Sequence, residues 1–164
     1  MKIRHVRSTD LPALLDIEHA GFSPAKAATK AAFENRIATI SDTFFVAEVQ
    51  SQVVGFINGP VIDQPYISDD LFDQTQPNPT IGGYQSVLGL AVAPSFRQQG
   101  IARALLKALE KDALTHERQT ITLTCEERLI PFYETAGFTN AGVASSTHGQ
   151  VTWYNMVKPL GGSL

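Results

Sequence analysis

At 164 residues and 43% apolar content, with no repeat or linker, the chain has the dimensions of one domain, assigned to residues 1–160 with a flexible tail over 161–164. A net charge of −3 excludes a broad basic face for nucleic acid, and no run reaches the ~20 apolar residues of a membrane span. The N-terminus MKIRHVR lacks a signal region, which points to the cytoplasm; Cys125 alone excludes an internal disulfide, and four scattered histidines lack metal-ligand spacing.

Residues 2–7 alternate as a strand, and Thr9 or Asp10 then caps a helix patterned by Leu11, Leu14, Leu15, Ile17 and Glu18, with Pro12 in its first turn. A second helix is predicted over Pro24 to Ile40. Thr43 to Val49 and Gln52 to Ile62, rich in β-branched and aromatic residues, read as a hairpin. Residues 63–80 hold Pro65, Pro77 and Pro79 among aspartates and asparagines and read as a long excursion. The acidic residues of Asp63 to Asp73 form either a solvated loop or a negative rim that steers an ammonium group.

Gly82 to Ala93 reads as the central strand, where Gly89 marks a bulge or the close approach of another backbone or ligand. Ala102, Leu105, Leu106, Leu109 and Ala113 form one buried stripe on the next helix. Thr120 to Cys125 alternates as a strand, a helix from about Glu127 stops at Gly137, and Phe138 to Ala144 with Gln150 to Val157 form a last hairpin. The order β-α-α-β-β-β-α-β-α-β-β predicts an α/β fold whose mixed sheet of seven strands is flanked by four helices.

The stretch LGLAVAPSFRQQGIARALL, Leu88 to Leu106, joins an apolar strand to an amphipathic helix through a polar loop. Backbone N–H groups from Gln98 to Arg103, with the positive end of the helix dipole, would solvate a pyrophosphate. The chain has neither GxxxxGK nor GxGxxG here, because Gly100 stands alone and Ala102 replaces a second glycine. FRQQGIA instead resembles the acyl-CoA loop of the GNAT superfamily of N-acetyltransferases, (Arg/Gln)-x-x-Gly-x-(Gly/Ala), through Arg97, Gly100 and Ala102. With LAV at Leu90 to Val92, Cys125–Glu126 and the PFY of Pro131 to Tyr133, residues 88–138 look most similar to the arylalkylamine (serotonin) N-acetyltransferase group.

That resemblance implies a GNAT-type acyl-CoA fold and acetyl-CoA as the cofactor, contacted by Leu90, Ala91, Val92, Arg97, Gln98, Gln99, Gly100, Ile101, Ala102, Arg103 and Glu126. It makes Tyr133 the general acid for the departing thiolate and the excursion before the central strand part of the amine pocket. The group carries two histidines just before its LAV, where this chain has Ser86 and Leu88. The base is therefore left to water held by Ser86, with Tyr84 on the same strand face, or to a carboxylate such as Glu126. Cys125 reads as core rather than nucleophile, and His148 as an exposed turn residue. The implied activity is acetyl transfer to a small primary amine, an arylalkylamine or a polyamine, with no nucleic-acid or membrane partner and a homodimer left open. The alternatives are acetylation of a protein N-terminus or lysine, and a non-catalytic acyl-CoA sensor.

Overall fold

The computed structural model describes residues 1–146 and 148–161, the His148 side chain excepted, and all but the first residue of the predicted tail over 161–164 lie outside the described residues. Among the described residues nine strand segments form two sheets: β1 (Lys2–His5), β2 (Phe44–Val49), β3 (Gln52–Asn58), β4 (Val61–Ile62), β5 (Tyr84–Val87), β6 (Gly89–Val92), β7 (Thr120–Cys125), β8 (Thr139–Val143) and β9 (Tyr154–Pro159). The first sheet has the order β1-β2-β3-β6 and the second β4-β5-β7-β9-β8. Among the same described residues four α-helices flank them: α1 (Leu11–Gly21), α2 (Lys30–Thr39), α3 (Ile101–Thr115) and α4 (Ile130–Thr135). Among the described residues no helix is long and apolar enough to cross a membrane.

Period-two alternation builds the two layers of core. Along β2, Phe44 and Val46 pack with Leu14, Ile17 and Phe33 from α1 and α2, whereas Phe45 and Ala47 belong to the core under α3. The α3 stripe is the predicted one, with Leu105, Leu109 and Ala113 fully buried. Gly55 lets α3 approach: a Cβ there would lie 3.3 Å from Ile101 Cγ2 and Leu105 Cδ1. The start of α3 is thereby seated over β3 and β6, which fixes the direction of the loop preceding it.

The predicted central strand is divided. β5 pairs in parallel with β7 through Ser86 opposite Thr122 and Val87 opposite Leu123, then β6 pairs antiparallel with β3 from Asn58 opposite Gly89 to Gly55 opposite Val92. Leu88 is the switch, its N–H still bonded to the Asn58 carbonyl at 2.8 Å. Past that point β7 continues through Thr124 and Cys125 with only β9 beside it, so β6 and the end of β7 diverge. Gly89 stands at the split with the Phe56 ring close by: a Cβ would come within 3.1 Å of its edge.

Three boundaries differ from the sequence reading. Only Lys30–Thr39 of the predicted second helix is α-helical; Thr29 caps it by accepting the Ala32 N–H at 3.1 Å, which leaves 23–29 as a turn-rich connection. The predicted strand Gln52 to Ile62 breaks at Gly59–Pro60, where the chain crosses to the second sheet so tightly that a Cβ on Gly59 would collide with the Ser86 carbonyl. The last strand begins at Tyr154 rather than Gln150.

Candidate active site

The loop between β6 and α3 is shaped by left-handed backbone at Gln98 (φ 62°) and Gly100 (φ 79°), the kind of concavity that gathers N–H groups. The first intrahelical bond of α3 runs from the Ala104 N–H to the Gly100 carbonyl at 3.0 Å. No side chain caps this end, unlike the Thr29 cap of α2. The N–H groups of Ile101, Ala102 and Arg103 therefore remain as unfilled donors at the positive end of a 15-residue helix. An anion is the partner that such a group of donors selects.

The split between the sheets supplies a second set of main-chain groups. The Ala93 N–H bonds the Val54 carbonyl at 2.7 Å, so alternation along β6 turns Gly89 and Ala91 toward β3, and Leu90 and Val92 toward the split. Arg97 Nε reaches the Val92 carbonyl from that side at 3.1 Å. A cavity of about 740 Å³ runs along these groups and the loop, bordered by Arg97, Arg103 and Arg128. Arg103 is held over the Phe132 ring at 5.5 Å, which leaves its charge beside the loop.

On the other side of the split lies a cavity of about 330 Å³ whose walls come from the α1–α2 connection, the ends of β5, β6 and β7, Phe72–Asp73 of the long excursion, and Trp153. Phe22, Leu90, Leu129 and Tyr133 line both cavities, so the two halves meet at a throat made by these residues. Tyr133 is 7% exposed and stands between the rings of Phe132 and Phe138, at centroid distances of 5.0 and 5.5 Å. Burial, with a smaller contribution from Cys125, pushes its phenol well above the usual tyrosine range, so it presents an O–H donor.

The smaller half carries charge in a largely apolar wall. Glu18, 5% exposed on α1, accepts the Ala28 N–H through Oε2 at 2.7 Å. Arg36, 2% exposed on α2, donates through Nη1 to Asn58 Oδ1 at 3.3 Å and through Nη2 to the Phe72 carbonyl at 3.0 Å. Burial lowers its pKa to about 10, opposed by the charges of Glu18 and Asp73. Lys26 on the α1–α2 connection meets both oxygens of Glu126 at 3.3 Å, tying the two walls together. Cys125 is 2% exposed, and burial followed by the Glu126 charge pushes its thiol up to about 11.

The structure brings together most of the residues predicted from sequence. Leu90 to Val92, Arg97, Gln98 and Gly100 to Arg103 line the larger half and Tyr133 stands at the throat, while Gln99 is exposed on the loop. Glu126 lies elsewhere, on the smaller half opposite Lys26. Ser86 does not join the site: it is fully buried and its hydroxyl donates to the Pro60 carbonyl at 2.6 Å, pinning the chain crossing. Tyr84 lies at the β4 edge, opposite Ile62, and the His148 side chain lies outside the described residues. Sequence reasoning missed Glu18 and Arg36 as site residues. Their signal was a charge on the buried stripe of a helix, after Leu14 and Ile17 in one case and after Ala32 and Phe33 in the other.

Comparison with known proteins converges on one family. A family model described as an acetyltransferase (GNAT) domain matches residues 41–140. Serotonin N-acetyltransferase from Mesocricetus auratus is 31% identical over 109 residues, which cover 65% of this chain and 51% of the relative, so the match spans about half the relative's length. Among solved structures, the GphF GNAT-like decarboxylase in complex with isobutyryl-CoA superposes with a TM-score of 0.83 at 18% identity, covering 97% of this chain and 99% of the other. The ribosomal-protein-S18-alanine N-acetyltransferase from Escherichia coli gives a TM-score of 0.73 at 20% identity, with 99% and 95% covered. Naa20 from Chaetomium thermophilum, in complex with a bisubstrate analogue, gives 0.73 at 23% identity, with 98% and 87% covered.

Proposed function

The chain belongs to the GNAT acetyltransferase family, and from that premise we propose that it transfers the acetyl group of acetyl-CoA to a small primary amine by direct attack. The observation that carries the reading is the throat, where a buried tyrosine and the open main-chain edge of β6 stand between an anion-binding half and a charged, largely apolar half. Coenzyme A fits the donor set of the larger half. The open N–H groups of Ile101 to Arg103, with Arg97 and Arg103 beside them, suit its pyrophosphate, and the edge of β6 at Leu90 and Val92 suits an amide-bearing arm laid along it.

Acetyl-CoA supplies an activated acyl carbon, at which the amine nitrogen forms a C–N bond as the C–S bond breaks. The chain's own contribution is placement and proton handling. The Leu90 N–H, turned into the split, is the donor for the thioester oxygen. Tyr133, kept protonated by burial, gives its O–H to the departing sulfur. For the base we take Glu18 in place of the missing histidines: it is a carboxylate on the wall of the smaller half, held by the Ala28 N–H and facing the Arg36 charge.

The smaller half also narrows the acceptor. Phe22, Leu88, Leu129 and Trp153 suit an aryl or alkyl body. Its three carboxylates, Glu18, Asp73 and Glu126, exceed its two cations, Lys26 and Arg36, by one. That balance suits a single ammonium rather than a polyamine, and likeness to serotonin N-acetyltransferase favours an arylalkylamine body. Protein acceptors are the second reading, supported by the ribosomal-protein-S18-alanine N-acetyltransferase among the structural neighbours. Coenzyme A release measured over a panel of amines tests the proposal. Acetyl-CoA-dependent release with at least one primary amine is expected, and calorimetry showing no binding of coenzyme A would overturn it.

A further inference from the structure

We infer that the excursion between β4 and β5 forms a docking groove for an extended cationic peptide segment, on the reverse side of the wall that bounds the acceptor half. The acidic run read from sequence is divided between two places. Asp73 lines the smaller half of the cleft, whereas Asp63 and Asp70 line a separate open groove of about 760 Å³. The short turn Asp69–Phe72 is the common wall, with Phe72 on the cleft and Leu71 on the groove. Two of the five large apolar side chains that the described residues leave exposed, Tyr66 at 46% and Ile81 at 59%, line the same groove. Pro77 and Pro79 extend its apolar surface. Exposed apolar side chains gathered in one place and rimmed by polar groups mark a surface that a partner covers.

The groove is built rather than loose. Arg36 Nη2 donates to the Phe72 carbonyl at 3.0 Å and Asn35 Oδ1 accepts the Thr75 N–H at 2.7 Å, so α2 fixes one bank. Asn78 fixes the other: its Oδ1 accepts the Val61 N–H at 2.8 Å and its Nδ2 donates to Thr43 Oγ1 at 2.9 Å. Little ordering is left to oppose binding. Charge then selects the partner. No lysine, arginine or histidine lines the groove, and neither Asp63 nor Asp70 has an ion-pair partner among the described residues. Both carboxylates are exposed, and a cation laid between them meets no like charge. Shape selects a chain segment. A small ligand is largely enclosed by its pocket, whereas the exposure of Tyr66 and Ile81 means that this groove covers one side of its occupant only. β4 is the terminal strand of its sheet and runs into the groove through Val61, Ile62 and Asp63. An extended peptide fits there lengthwise, with arginine or lysine opposite the aspartates and apolar side chains on Tyr66 and Ile81.

The test is fluorescence anisotropy of the full chain with three labelled, acetyl-capped peptides that alternate leucine with arginine, glutamine or glutamate. None carries a primary amine and coenzyme A is left out, so this docking and the transfer reaction stand or fall separately. The arginine peptide should bind about tenfold more tightly than the glutamine peptide, and the glutamate peptide least tightly. Asp63→Asn with Asp70→Asn should bring the arginine and glutamine peptides level. Asp16→Asn with Glu134→Gln makes the same change of charge at exposed positions outside the groove and should leave the preference intact. Tyr66→Ala should weaken the arginine and glutamine peptides alike, by about fivefold. If a variant does not fold, an NMR titration of the wild-type chain decides: the arginine peptide should shift amides between Pro60 and Gly83. Four results overturn the inference: equal binding of the arginine and glutamine peptides, binding of neither, a preference that survives loss of Asp63 and Asp70 or disappears in the Asp16 and Glu134 control, and amide shifts confined to other parts of the chain.

Discussion

The two halves of the cleft are drawn from the chain in different ways. Most residues that line the larger half come from one continuous stretch, β6 through the first turn of α3, where left-handed backbone at Gly100 gathers N–H groups. The smaller half is lined from five separated segments, and its charged groups are Glu18, Lys26, Arg36, Asp73 and Glu126. A ligand common to many enzymes can be held by backbone geometry, which tolerates changes of side chain. An acceptor peculiar to one enzyme has to be recognised by the side chains themselves.

The variant expected to do most is Tyr133→Phe, because this residue lies in both halves. Steady-state assays should show kcat reduced by about 10³, the range of a lost general acid, with the KM for acetyl-CoA changed little. A comparable KM increase would mean that the phenol binds the cofactor rather than serving the throat. Glu18→Gln confines the damage to the acceptor half: kcat should fall by about 10², again without a change in acetyl-CoA affinity. An unaltered kcat would return the base to Glu126 or to solvent.

Gly100→Ala acts on the other half. At φ 79° an added Cβ meets no atom within 4 Å, so the cost is backbone strain alone, about 1–2 kcal/mol. Acetyl-CoA KM should rise about tenfold while the preference among amines stays fixed. A changed preference would break the division of labour between the halves. The smallest effect concerns Cys125. A thiol raised from 9.0 to about 11 holds about a hundredfold less thiolate at pH 8, so alkylation should be slow in the folded chain and normal in urea. The same shift has a consequence for stability. The folded pKa lies above the unfolded value, so the contribution is complete below pH 9 and is lost as pH rises toward about 11, with Tyr133 acting in the same direction. Melting temperature should therefore decline across that window.

How legible each half was in the sequence follows from the same difference. FRQQGIA could be read as an anion loop because contiguous backbone determines its shape, and the stripe Ala102 to Ala113 placed the helix behind it. The division of the central strand was partly visible, since Gly89 signalled either a bulge or a close approach; that it divides two sheets follows from pairing partners some 30 residues away on either side. Ser86 was chosen as a proton carrier by position along the strand, yet the crossing at Gly59–Pro60 brings a carbonyl onto its hydroxyl. The resemblance implies cofactor contact for Glu126, yet Lys26, a hundred residues earlier, holds it on the wall of the smaller half.

By itself the sequence determined the element order, the buried stripes and the shape of the loop before α3, because each depends on residues within one or two turns of one another. The tertiary structure decided where the sheets part, which carboxylates line the smaller half, and that the buried Arg36 ties Asn58 to Phe72. Those depend on the packing of segments far apart in the chain, and residue order carries no local record of which buried charge will stand opposite which.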